Sequence, residues 1–191
     1  MPNATEHLVE RLVERSGTSY FGKYKGTVTD VDDPKKQCRI RAKVPTVLGE
    51  QECGWALPVA PFAGDGHGLV LLPEIGSFVW IEFEAGQLNS PIWSGGWWDE
   101  GQRPDPQAHG KRVLVSKNGH KMMLDDDGDE VTLVHASGPE IKMSATQVVI
   151  TCGACELKIT NKEISLNNGL IKVGLAGVSL VNGAMAFGVP P

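Results

Sequence analysis

No run of about 18 consecutive apolar residues, the length that spans a bilayer, occurs in the 191 residues. A transmembrane helix is therefore not expected. Residues 1–15 hold no continuous apolar core of signal-peptide type, so the chain is expected to be made and folded in the cytosol. No basic stripe is present, and the net charge is −5. Both argue against a nucleic-acid partner, whose phosphates call for clustered Lys and Arg. Cysteine is scarce: Cys38, Cys53, Cys152 and Cys155 are the whole set. Cytosolic thiols seldom form structural disulfides. Cys152 and Cys155 make one CxxC, but no second CxxC or nearby histidine joins it. It is a weak zinc candidate and reads more simply as two small residues at a turn. No Ser or Cys stands in a GxSxG setting. The expectation is no enzyme, no catalytic residue and no cofactor.

What the sequence has is turns. Gly 23 and Pro 12, with 41% apolar residues, suit a β-protein with many reversals and not a disordered chain. From residue 113 onward, apolar residues recur in pairs separated by one other residue. The pairs are Val113/Val115, Met122/Leu124, Val131/Leu133, Ile141/Met143, Val148/Ile150, Leu157/Ile159, Ile164/Leu166, Ile171/Val173 and Val178/Leu180. That is the period of a strand with one buried face. Turn formers fall between most of them: Asn118-Gly119, Asp127-Gly128, Gly138-Pro139, Gly153, Asn167-Asn168-Gly169, Gly174 and Gly177. A coiled coil is excluded because i, i+2 pairs never share a helix face, and Gly or Asn interrupts each would-be heptad.

Two inward side chains per strand cannot close a core within one thin sheet. A one-chain solenoid usually needs some twenty or more residues per coil, and no such period is visible. The expectation is a core shared by three chains. Its residues are Val131, Leu133, Ile141, Met143, Val148, Ile150, Leu157, Ile159, Ile164, Leu166, Ile171, Val173, Val178 and Leu180. Met185, Phe187 and Val189 continue the alternation and would form an apolar tip that docks a cap protein.

Ahead of this repeat the pattern differs. Residues 4–15 carry Leu8, Val9, Leu12 and Val13 at helical spacing, with Gly17 placed to end the helix. Residues 20–31 and 38–44 alternate and form a hairpin, with Ile40, Ala42 and Val44 on one face. Residues 55–59 give a third strand, broken by Pro58 and so near an edge. Residues 64–68 read as a flexible Gly-rich loop containing His67. In residues 76–84, Val79, Ile81 and Phe83 oppose Phe78 and Trp80. Residues 91–98 give the last strand. Five or six short strands in some eighty residues suggest a small closed barrel. The expected domains are a helical arm (1–19), the barrel (20–98), a Pro-rich linker (99–112) and the repeat (113–191). The acidic run 125–130 lacks the spacing of a calcium loop and reads as a solvated turn with Gly128 at positive φ. Trp93, Trp97 and Trp98 could stack sugars, or pack where barrel meets linker.

The stretches Gly26–Asp30, Cys38–Pro45, Trp55–Gly64, Leu72–Gly86 and Ser90–Gly96 resemble the OB-fold domain of the phage baseplate protein V and phage T4 tail-spike group. That group includes the spike part of type VI secretion proteins. The resemblance covers about residues 20–185 and implies an OB barrel followed by an intertwined trimeric β-helix, a β-prism needle. It implies a structural spike that punctures a membrane, its barrel a collar on a hub protein and its needle aimed at the target membrane. It also implies a homotrimer, assembly into a virion tail or secreted injection particle, and a PAAR-type protein on the tip. Some relatives carry a lysozyme domain between the modules, where this chain has only the linker. Others close the tip with a His-x-His iron site, and here no histidine follows His135. The rival expectation is a carbohydrate-binding OB module on a trimeric β-fibre.

Overall fold

The computed structural model describes residues 4–106, 108–175, 177–181 and 184–188. Val189 lies outside them. The chain divides into two compact units, Met1–Gly101 and Gln102–Pro191.

The first unit opens with helix α1 (Ala4–Thr18), which runs through Gly17 and not up to it. Five strands then build one sheet: β1 (Tyr24–Asp30), β2 (Arg41–Lys43), β3 (Leu57–Pro58), β6 (Phe78–Phe83) and β7 (Pro91–Gly96), in the order β2-β1-β6-β7-β3. β1 pairs antiparallel with β2 across a bulge between Val28 and Asp30, and with β6 on its other side. β3 lies at the edge, parallel to β7. The ends of the sheet meet through only two isolated bridges, Ile40 with Ala56 and Lys43 with Glu52. Gly26 permits the close approach of β1 to β6, because a Cβ there would sit 3.0 Å from the Ile81 side chain. A short helical turn, α2 (Pro45–Leu48), follows β2 and has proline in its first turn.

Alternation in these strands fills one core. Val28, Ile40, Ala42, Val44, Cys53, Ala56, Val79, Ile81, Phe83 and Trp93 are all buried. Burial pushes the Cys53 thiol pKa up. Trp93 donates its indole N–H to the Cys38 carbonyl at 3.1 Å, which satisfies the one polar atom of a buried aromatic. The loop before β2 is tied by Asp33, whose carboxylate accepts backbone N–H bonds from Lys35, Gln37 and Arg39 and the guanidinium of Arg39. The Arg39 guanidinium holds the Asp33 pKa well below the carboxylate range.

The Gly-rich segment at 64–68 is not a loose loop. It is a small hairpin of β4 (Ala63–Gly64) and β5 (His67–Gly68) turned through Asp65-Gly66, with Gly66 at φ 72°. Residues 69–73, which follow it, form no strand.

The second unit is one antiparallel meander of ten strands in sequence order. They are β8 (Lys111–Val115), β9 (Lys121–Asp125), β10 (Glu130–Val134), β11 (Glu140–Ser144), β12 (Gln147–Cys152), β13 (Cys155–Thr160), β14 (Glu163–Leu166), β15 (Ile171–Gly174), β16 (Gly177–Leu180) and β17 (Met185–Gly188). Each strand bonds to its sequence neighbours in the same chain. Turn chemistry sets the reversals: Gly119, Gly138 and Gly153 have positive φ, as do Asn167, Asn168 and Gly169 in a row. The acidic turn differs from its expected form. Asp129, not Gly128, takes positive φ at 52°. Gly128 is needed for space, since a Cβ there would lie 2.9 Å from the Asp125 carboxylate.

Candidate functional site

The register of the meander sorts its side chains onto two faces. Val131 faces Met143, which faces Val148, which faces Ile159. The column goes on through Ile164 and Val173 to Val178. A second column runs Leu133, Ile141, Ile150, Leu157, Leu166, Ile171 and Leu180. All fourteen side chains expected at a shared core therefore stand on one face of the sheet. Met122 and Leu124 extend the columns toward β8.

The pair Val113/Val115 does not join them. Leu114 pairs with Met122 and Arg112 with Leu124, so β8 turns Leu114 to the apolar face and both valines to the opposite one. The cause is a run of three apolar residues, Val113-Leu114-Val115, whose parity is set by the partner strand and not by its own sequence.

This apolar face is open. Leu133, Ile164, Val173 and Met122 are 37%, 44%, 47% and 48% exposed. Each is already about half-buried, so covering it would recover only part of the roughly 1.5–3 kcal/mol of a full burial. Among the described residues the only fully buried side chains of this unit are Asp125, Thr132 and Ser165. Thr132 and Ser165 stand on the opposite face, where Thr132 is flanked by Met123 and Lys142, and Ser165 by Lys158 and Lys172. Their neighbours across the ladder are longer side chains, of the kind whose stems cover short residues. The same face carries the pairs Lys142–Glu130 at 3.5 Å and Lys172–Glu163 at 3.1 Å. Its charge marks it as the water side.

Near the start of the sheet, Lys111 bonds Asp125 at 2.5 Å, and Asp125 also accepts the Gly128 N–H at 3.0 Å. The Lys111 bond comes first in depressing the Asp125 pKa. These contacts spend the acidic run on fixing its own turn.

The open face dips into a trough of ≈ 620 Å³ between Leu114, Met122, Leu133, Ile141 and Ile150, with His120, His135 and Cys152 at its rim. The His120 and His135 rings lie 4.4 Å apart. Each Nδ1 accepts a backbone N–H, from Ala136 at 3.3 Å and from Ser137 at 3.2 Å, so both rings hold turns. Cys152 and Cys155 face each other across the Gly153-Ala154 turn as free, exposed thiols. Among the described residues no group of three His, Cys, Asp or Glu side chains could hold a metal ion.

At the far end the tip residues prolong the ladder. Met185 pairs with Leu180 and Phe187 with Val178, making β17 the closing strand. On the barrel the tryptophans part company. Trp93 is core, Trp98 is 64% exposed, and Trp97 is stacked on Phe78 at 4.5 Å with the Lys25 ammonium 4.2 Å from its ring centre. A sugar would have to displace those partners to stack on Trp97.

Two family models match. Residues 24–98 match the type VI secretion system/phage-baseplate injector OB domain, and residues 111–172 match the phage baseplate V C-terminal trimerisation domain. A search of curated proteins finds no match. The first match coincides with the strands that close the barrel core. The second begins at β8 and ends inside β15, spanning most of the open apolar columns. The chain belongs to the phage baseplate V family, the spike and injector proteins of contractile phage tails and type VI-like devices.

Proposed function

We propose that three copies of this chain bury their apolar columns against one another and form the rigid central spike of a contractile device. The supporting observation is the pairing of a complete in-chain hydrogen-bond ladder with an uncovered aliphatic face. Apart from the outer edges of β8 and β17, the strands of the shaft pair within each chain, and it is the face that calls for the partner copies. A shaft of ten strands at ~4.8 Å spacing extends on the order of 40 Å. Such a body transmits axial thrust because bending it would open packed aliphatic layers.

In this reading the barrel is the collar that seats on the hub and the shaft is the needle that breaches the target membrane. Its working place is the virion tail or injection particle. Val131 through Leu180 supply the trimer core. Met185, Phe187 and Val189 supply the end on which a PAAR-type cap sits, covering the free edge of β17. The domain limits are those of the arm, barrel, linker and shaft given above.

Light scattering on the purified chain tests the core of this reading. The expected mass is three times 20.5 kDa, and a single-chain mass overturns it. For the needle role, device particles assembled with a chain ending at Gly110 should contract yet fail to deliver; undiminished delivery would remove the shaft from the mechanism.

A further inference from the structure

The barrel carries an apolar arm that its own core does not use. Between β3 and β6, Val59, Phe62, Leu69, Val70, Leu71 and Ile75 are 43–67% exposed. The arm is ordered in spite of this. Val59 N–H bonds the Trp93 carbonyl at 2.9 Å, Leu69 N–H bonds the Phe62 carbonyl at 3.3 Å, and Gly76 N–H bonds the Val28 carbonyl at 2.9 Å. Residues 57–75 contain no Lys or Arg, and their only acids are Asp65 and Glu74. A pre-shaped surface depleted in charge has the composition of a permanent interface centre.

A second unpartnered surface lies in the same unit. Helix α1 exposes Leu8, Val9 and Val13 by 52–65%, residues that fall on one helical face. An isolated helix of 15 residues is marginal in water and draws its stability from packing. A cyclic trimer requires a heterologous contact, one patch on each chain fitting a different patch on the next. The arm and α1 are two such patches. The trimerisation domain tethers the three barrels, so each sees the next at roughly millimolar effective concentration.

We propose that the arm at residues 59–75 is the seat for the α1 helix of a second copy of this chain, closing a ring of three barrels. The inference rests on the trimer reading above. The test is maleimide labelling of the full-length chain, free of other device proteins, read by peptide mass spectrometry. Val70→Cys should label at least about tenfold more slowly than Glu50→Cys, a position whose side chain is 98% exposed on the same barrel. Adding Val9→Asp should raise the rate at position 70 to that at position 50 while light scattering still reads a trimer. Adding Ile164→Asp, which separates the chains, should raise it as well. Equal rates in the Val70→Cys trimer overturn the proposal and leave the arm open for a different protein. Protection that survives Val9→Asp, or that survives in separated chains, also overturns it. A Val70→Cys protein of single-chain mass overturns the trimer reading and this one together.

Discussion

The two units solve the burial problem in opposite ways. In the barrel, strands of two to seven residues curl until their inner faces meet, and ten apolar side chains become buried within one chain. In the shaft, strands of four to six residues lie side by side without curling back. Their aliphatic side chains are as numerous and as regularly placed, yet among the described residues none is fully buried. Hydrophobic content thus does not decide whether a unit is complete. What decides it is whether the sheet can return on itself, and a ten-strand meander with two inward residues per strand cannot.

The contrast can be broken most forcefully at Ile164. On the proposed packing, Ile164→Asp places three carboxylates in the shared core, and each is costly unless paired or protonated. Loss of the trimeric mass is expected, with the barrel core of each separated chain still folded. Lys158→Ala on the opposite face of the same ladder is the control, and should leave mass and heat resistance within the ~0.5 kcal/mol scatter of surface changes. If both variants remain trimeric, the faces are assigned the wrong way round.

The mirror experiment is Ile81→Ala in the barrel. Truncating a fully buried isoleucine costs about 2–5 kcal/mol. The barrel should unfold at lower denaturant while the mass stays trimeric. A drop in mass would show that the barrel, too, depends on its partners for its core.

Asp33→Asn tests the same independence through acid. The native carboxyl pKa lies below its ordinary value of 3.8, first because of Arg39. A group depressed on folding stabilises the fold above its unfolded pKa, and that contribution fades as pH falls through the folded value. The wild-type barrel should therefore melt above the variant at pH 7, and the gap should narrow once pH drops below about 3.8. A gap that stays constant down to pH 2 would mean that Asp33 acts by shape and not by charge.

The smallest effect belongs to Asp126→Ala. Asp126 pairs with Arg112, but the two side chains are 63% and 62% exposed, and such pairs contribute about 0.2–1 kcal/mol. The melting curve of the trimer should barely move. A marked loss of heat resistance would give the acidic turn a part in assembly.

Much of this division was legible in the residues. From Val131/Leu133 onward, most apolar–x–apolar pairs identify their own face because the residue between is polar, whereas Met122/Leu124 and Val148/Ile150 enclose Met123 and Val149 and take their parity from the strands they pair with. Val113/Val115 misleads because Leu114 between them is apolar too, and only pairing with Met122 reveals which of the three turns inward. The barrel core at Ile40, Ala42, Val44, Val79, Ile81 and Phe83 was readable from alternation. Trp93 was not, since its burial depends on the distant Cys38 carbonyl that accepts its N–H. The hairpin at Ala63–Gly68 hid behind its glycines, which signal a turn but not the strands of two residues on either side. Gly128 misleads because small size and backbone freedom leave the same letter in the sequence. Nothing in the spacing announces that Leu69, Val70, Leu71, Leu72 and Ile75 stay exposed, for Leu-Val-Leu-Leu by itself looks like core.

One feature of the shaft bears on how such proteins change over time. Each strand pairs only with the strands before and after it in the sequence, so the shaft is a ruler graduated in strands. Removing or duplicating one strand reverses the direction of all that follow. A whole hairpin can come or go with direction and inner face preserved, shifting the length by ~9.6 Å per chain. Duplicating residues 155–168 should lengthen the particle seen in electron micrographs by that step and leave it trimeric. A collapsed or misassembled product would show that the strands are not interchangeable. If they are, spike length is set by gene duplication, and a lineage can lengthen its spike without redesigning a single interface.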